Sequence, residues 1–150
     1  MGLRSTATKM FGHIETRADR IDHMLRLRDL QDRTGGFTAF IGWTFQPGNT
    51  ELGGEEATTA EYLRTMAVAR LFLDNIDNIQ ASWVTQGPKV GAASLAFGVN
   101  DMGSTMIEEN VVSSAGTVHH MNEPEIVAAV KDAGFVPMRR NMLYERLGAF

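Results

Sequence analysis

Residues Phe37 to Thr50 read FTAFIGWTFQPGNT. Phe37, Ala39, Ile41 and Trp43 alternate with Thr38, Phe40 and Gly42, and a period of two predicts a buried strand. The run breaks at Gln46-Pro47-Gly48-Asn49 into a polar loop, since glycine, proline and asparagine favour turns over ladder pairing. Helical patterns lie on both sides. An apolar strand between helices, with a polar, aromatic-edged loop at its C-terminal end, is how barrel and doubly wound α/β proteins build ligand sites.

Upstream, Leu3 to Phe11 (LRSTATKMF) alternates and is threonine-rich, which predicts a strand ending at Gly12-His13-Ile14-Glu15. Thr16 and Asp19 form a capping-box pattern for a helix from Arg17 to Arg33. Ile21, Met24, Leu25, Leu27 and Leu30 would be its buried face, and Gly35-Gly36 its end. Downstream, Gly53-Gly54-Glu55-Glu56 is too polar to pack. Thr58 with Glu61 is a second capping box, for a helix reaching about Asn75. Ile79 to Val84 (IQASWV) reads as a third strand, closed by Thr85-Gln86-Gly87-Pro88, and Lys89 to Phe97 as a short helix. Gly98 to Asp101 is expected to be a brief fourth strand, followed by loop and irregular helix through Glu108 and Glu109. Asn122 and Glu125 cap a last helix that stops at Gly134, and Phe135 to Tyr144 is expected to lie extended.

The order is βαβαβαβ(α)α, four βα units whose right-handed crossovers make the strands parallel. A full eight-unit barrel needs roughly 250 residues, so 150 residues correspond to a half barrel. Its two open strand edges would be rows of unpaired backbone groups. The strands form a free open sheet, or another chain supplies the missing half, or the sequence is a piece of a longer protein. Met1-Gly2-Leu3 running almost at once into a strand favours the last.

Hydrophobic content of 43% and charged content of 21% describe an ordinary globular domain. A net charge of −4 and a pI near 5.5 argue against a nucleic-acid or anionic-membrane surface. No apolar run approaches the roughly 18 residues needed to span a bilayer, and no signal peptide opens the chain, so a cytoplasmic location is expected. There is no cysteine, which excludes a disulfide, a thiolate nucleophile and a cysteine-ligated cluster on this polypeptide. Met24, Met66 and Met142 lie among apolar neighbours and are expected to fill the core.

Polar residues collect at the predicted strand ends: His13 and Glu15 after the first, Trp43, Gln46 and Asn49 after the second, Trp83 and Gln86 after the third, Asn100 and Asp101 after the fourth. Such positions are ligand sites in α/β folds, or they merely solvate the rim. His13 is a candidate acid or base, or a hydrogen-bonding cap. Adjacent Glu108 and Glu109 cannot both face one site from a helix. His119-His120 has no third ligand at metal spacing, so no metal site is expected. Gly53-Gly54 lacks a phosphate-loop pattern.

The stretches STATKMFGHIET, FTAFIGWTFQPGNT, IQASWVTQGPKV, FGVNDMGSTMIEENVVSSAG and AGFVPMRR together resemble the C-terminal half of a radical S-adenosylmethionine (SAM) enzyme family. That family contains the cyclic dehypoxanthine futalosine synthases and aminofutalosine synthases of menaquinone biosynthesis and the synthases of the deazaflavin precursor FO. FQPGNT, SWVTQGPKV and GSTMIEENVV read most like the cyclic dehypoxanthine futalosine synthase branch. The resemblance implies an eight-unit barrel of which this chain matches units five to eight. It implies reductive SAM cleavage at a 4Fe–4S cluster, hydrogen abstraction from a nucleoside-type substrate and ring closure. By the family's Gly-x-x-Glu motif, Met10, Phe11, Gly12, His13 and Glu15 would contact SAM. Trp43, Gln46, Ser82, Trp83, Asn100 and Asp101 would line the substrate cavity.

The sequence departs from the family where proline is usual, at Gly42 or Thr44 and at Arg17, which loosens local φ restraint. Its larger departure is the lack of the C-x-x-x-C-x-x-C cluster motif. The expectation is therefore a C-terminal half barrel, inactive alone. It would belong to a cyclase, or to a related aminofutalosine or FO synthase. The other readings are a non-catalytic half barrel self-associating through its edges, and a metal-independent enzyme using His13 with Glu108 or Asp101.

Overall fold

A computed structural model describes residues 2–106, 111–116 and 119–150. β1 (Ser5–Phe11) and β2 (Phe37–Thr44) pair in parallel over their full length, and β3 (Ile79–Gln80) joins the far side of β2, in the order β1-β2-β3. α1 (Arg17–Thr34) is the crossover between β1 and β2, and α2 (Thr59–Phe72) connects β2 to β3. Two of the expected caps are complete. Thr16 and Asp19 exchange side-chain and backbone bonds at α1, as Asn122 and Glu125 do at α6 (Glu123–Asp132). At α2 the Thr58 hydroxyl accepts from Glu61 N, but the Glu61 carboxylate turns instead to Arg20, 2.7 Å away.

The sheet has two unlike faces. Ala7, Lys9 and Phe11 of β1 and Phe40, Gly42 and Thr44 of β2 point to the helices and are buried. Phe11 stacks parallel to Tyr62 of α2, centroids 6.4 Å apart. The core of Phe11, Phe40, Tyr62, Met66, Ile79 and Trp83 is sealed from water, each large side chain contributing roughly 1.5–3 kcal/mol. α2 comes so close to β2 that a Cβ at Gly42 would lie 2.8 Å from Met66 Sδ. On the other face, Thr6, Thr8 and Met10 are exposed, and Ile41, Trp43 and Gln80 are only half-buried.

Several expectations require correction. The third strand does not run from Ile79 to Val84: it ends at Gln80, and Trp83–Gln86 form a helical turn, α3. The Thr85 hydroxyl donates to the Ser82 carbonyl, 3.1 Å, and Ser82 N donates to the buried Tyr62 hydroxyl, 3.0 Å, so both backbone groups leave the ladder. The helix expected over Lys89–Phe97 is α4 (Pro88–Ser94) followed by a 3-10 turn at Leu95–Phe97. The fourth strand is reduced to one parallel bridge between Gln80 and Asp101. A short helix, α5 (Val111–Ser114), precedes α6; Glu108 and Glu109 lie outside the described residues.

The tail, expected as a single extended segment, is an antiparallel hairpin of β4 (Met138–Arg140) and β5 (Arg146–Ala149). Met142 is therefore not core: it sits in the hairpin turn, 81% exposed, whereas Met24 and Met66 are buried. On α1, Leu25 and Leu30 are exposed, because only Met24 is fully covered while Leu27 packs against the core edge. Among the described residues no helix is long and apolar enough to cross a membrane.

Tyr62 ties helix, strand end and α3 together, and burial pushes its phenol up to about 12. Tyr62→Phe removes the acceptor for Ser82 N–H without changing shape. The expected outcome is a loss of about 1–3 kcal/mol in urea denaturation with an unchanged far-UV spectrum.

Candidate functional site

The turn after β1 is built on a carboxylate. Glu15 Oε1 accepts from Gly12 N at 2.7 Å and from Arg20 Nε at 2.6 Å, and Oε2 accepts from His13 N at 3.0 Å. Gly12 adopts φ +89, which disfavours other residues, and a Cβ there would lie 2.8 Å from Ala57 Cβ. Burial of Glu15 works against its charge, but the Gly12 and His13 amides and the Arg20 guanidinium outweigh that and bring its pKa to about 2. Arg20 also reaches Glu61 at 2.7 Å and lies over the Phe11 ring. One guanidinium thus pins the Gly12–Glu15 turn to the first turn of α2. His13 Nδ1 stands 2.6 Å from Ile14 N and 2.8 Å from Glu15 Oε2. Unprotonated, that nitrogen accepts from Ile14; protonated, it donates to Glu15.

The loops after β2 and β3 are joined at Thr44. Its hydroxyl accepts from Gln46 Nε2 at 3.0 Å and from Gln86 Nε2 at 2.6 Å. Gln46 is buried, and both glutamines border a polar cavity of about 770 Å3 shared with Glu56 and His119. Asn49 donates to the Ser114 carbonyl, 3.1 Å, and a Cβ at Gly48 would overlap the Ala115 carbonyl oxygen, so the post-β2 loop packs directly on that segment. His119 lies against Gly87; among the described residues no group of three or more His, Cys, Asp or Glu is placed to hold a metal ion.

The sequence-derived site residues separate into distinct environments. Met10 and Trp43 are register partners on the open face of the sheet. Phe11 points the opposite way, into the helix-side core. Ser82 pairs its hydroxyl with Thr85 at 2.9 Å, and Trp83, 2% exposed, borders a pocket of about 190 Å3 together with Ile41 and Trp43. Asn100 is not brought to that pocket. Its Oδ1 accepts from Arg70 Nη2 and Ile79 N, and its Nδ2 donates to the Asp77 carbonyl, locking the start of β3. Asp101 is held by Arg140 Nη2 at 2.7 Å and Nε at 3.2 Å, with Gly103 N at 2.9 Å. Sequence reading passed over Gln80, which lines the 190 Å3 pocket with Trp43. Its alternation with buried Ile79 was the available signal.

Glu15 carries a pH signature. A carboxyl whose folded pKa is depressed stabilises the fold above its unfolded pKa, and that contribution is lost as pH falls through the folded value. Between pH 4.5 and about 2, the wild-type chain is expected to lose stability that Glu15→Gln lacks throughout. Denaturation across that range should show the two curves converging as pH falls; parallel curves would remove the carboxylate from this role.

Residues 34–149 match the family described as the CofH/MqnC C-terminal region. The chain is 53% identical over 148 residues to the cyclic dehypoxanthine futalosine synthase of Streptomyces coelicolor, covering 98% of this chain and 37% of that protein. It is 50% identical over 151 residues to the enzyme of the same name from Halalkalibacterium halodurans, covering 100% of this chain and 41% of that protein. The aminodeoxyfutalosine synthase of Thermus thermophilus is 45% identical over 154 residues, covering 98% of this chain and 41% of its own length. The chain thus spans about two fifths of the length of these relatives. This sequence belongs to the CofH/MqnC C-terminal family.

Proposed function

We propose that residues 1–150 are the C-terminal half barrel of a radical SAM cyclase that converts dehypoxanthine futalosine to its cyclic form on the futalosine route to menaquinone, and that the chain does not turn over alone. The observation that carries this reading is the identity of about half the residues, along the whole chain, with two cyclic dehypoxanthine futalosine synthases. The open sheet face and the edge of β1, unpaired among the described residues, are what a half barrel would present to its complement. In this reading the complement is the remainder of the barrel, or a second copy meeting the edges.

SAM would be held at the turn after β1. The left-handed backbone of Gly12, its packing against Ala57, and the bonds from the Gly12 and His13 amides to Glu15 hold this turn in one shape. Met10 and Phe11 precede it, and the turn so fixed is proposed to seat the adenosyl group. When bound, SAM supplies the adenosyl group for hydrogen abstraction. The cluster does not fit this chain, which has no cysteine. Trp43, Gln46, Ser82, Trp83 and Asp101 are proposed as the substrate side. Asn100 acts there only by fixing β3. Asp101 acts as a neutralised pair with Arg140, so it adds no net charge to the substrate side. A second reading, aminodeoxyfutalosine synthase, is favoured only by the Thermus thermophilus identity.

The test is a chimera in which this chain replaces the matching segment of the Streptomyces coelicolor enzyme. With SAM and a reductant under argon, it is expected to cyclise dehypoxanthine futalosine, while this chain alone does not. A folded chimera that retains its cluster and yields no cyclic product would sink the assignment.

A further inference from the structure

The last residue of β2, Thr44, is 0% exposed. Its hydroxyl accepts from Gln46 Nε2 at 3.0 Å and from Gln86 Nε2 at 2.6 Å. A valine would fill the same space without the cost of burying a polar atom. What the hydroxyl adds is orientation, because it anchors two carboxamides from two loops by their NH2 ends. For Gln86 the anchored nitrogen turns Oε1 away from Thr44. Among the described residues that oxygen has no hydrogen-bond partner, yet it is not sealed from solvent.

Both glutamines border the cavity of about 770 Å3, together with Glu56, Thr59 and His119. The side chains of these last three have no hydrogen-bond or ion-pair partner among the described residues. Several unsatisfied polar groups therefore converge on a space of the size small molecules occupy, roughly 300–1,000 Å3. No lysine or arginine among the described residues borders it, so an anion would meet the Glu56 carboxylate and no countercharge. A carboxylate, an amide carbonyl, a hydroxyl and an imidazole together accept more hydrogen bonds than they donate. That set suits a neutral ligand rich in O–H donors, and a sugar ring is one. The cavity also adjoins the turn after β1: Ala57 borders it, and Ala57 Cβ lies 2.8 Å from where a Cβ on Gly12 would stand.

We propose that this cavity is a sugar-binding site in which Gln86 and Glu56 accept from ring hydroxyls and Thr44 is the positioning residue. Its place in a reaction rests on the enzyme reading above, to which it adds the groups that hold the sugar. A nucleoside that has lost its base still presents its sugar, and SAM carries another in its adenosyl group. The two share one chemistry, and kinetics separate them.

The experiment titrates this chain, isotope-labelled, with D-ribose, with tetrahydropyran as a ring without hydroxyls, and with inorganic phosphate. The readout is the NMR spectrum of backbone and side-chain amides, with folding of each variant checked by circular dichroism. Ribose is expected to shift the Gln86 side-chain amide saturably, and the other two probes are not. Gln86→Leu and Glu56→Ala should each weaken ribose binding roughly three- to tenfold, the scale of one lost hydrogen bond. Thr44→Val should weaken it as well, and Thr44→Ser, which keeps the hydroxyl, should recover most of the affinity. No ribose shift at the cavity, phosphate bound in its place, or equal affinity in folded Gln86→Leu overturns the proposal. In the active chimera, Gln86→Leu is expected to raise KM more than it lowers kcat. A rise for dehypoxanthine futalosine assigns the substrate's sugar, a rise for SAM assigns the adenosyl ribose, and no rise for either overturns the proposal. An unsubstituted chimera without cyclase activity overturns the enzyme reading alone, because the ribose titration does not depend on it.

Discussion

The structure depends on the close approach of α2 to the helix-side face of the sheet. Tyr62 and Met66 descend onto Phe11, Phe40 and Gly42, and the lack of a side chain at Gly42 lets Met66 reach that depth. Burial at this contact fixes the crossover between β2 and β3 and holds β1 and β2 in register. It also decides which way every strand residue points. Once Phe11 and Phe40 are committed to the helices, Met10, Ile41 and Trp43 are committed to the other face, because side chains alternate along a strand. An apolar contact on one side of the sheet thereby positions the polar chemistry on the other.

Charged groups then act as local fasteners. Arg20 satisfies Glu15 and Glu61 together, joining the turn after β1 to the start of α2. Arg140, sandwiched between Asp101 and the Tyr144 ring, joins the C-terminal hairpin to the last bridging residue of the sheet. In both, a planar guanidinium serves two elements distant in sequence, a task suited to its fixed fork of donors. A third buried cation behaves differently. Lys9 lies under α1 with its amine 3.1 Å from His23 Nδ1, and burial lowers the pKa of both groups. Keeping His23 neutral and accepting lets that contact persist without adjacent positive charges.

Much of this was legible in the residues. Strand β2, the helices around it and the caps at Thr16 and Asn122 depend on side chains within four positions of one another, so local pattern specifies them. The turn at Gly12–Glu15 was visible as a motif, though not the Arg20 bond that helps to depress Glu15. The third strand was over-extended, because IQASWV has strand composition while its backbone groups are claimed by Tyr62 and Thr85. Asn100 and Asp101 looked alike as polar residues at a strand end. Asn100 turned out to brace Arg70 and Ile79, and Asp101 to face the open side.

The sequence by itself determined the alternation of strand and helix, the parallel crossovers, the absence of cluster ligands and the kinship of the chain. These follow from periodicity, capping chemistry, composition and ordered motifs, all carried along the chain. Only the tertiary structure decided which face of the sheet is sealed and which polar groups are already satisfied. Those outcomes depend on partners distant in sequence, such as Tyr62 for Ser82, 20 residues away, and Arg140 for Asp101, 39 residues away. Hydrogen-bond satisfaction is a property of the packed whole.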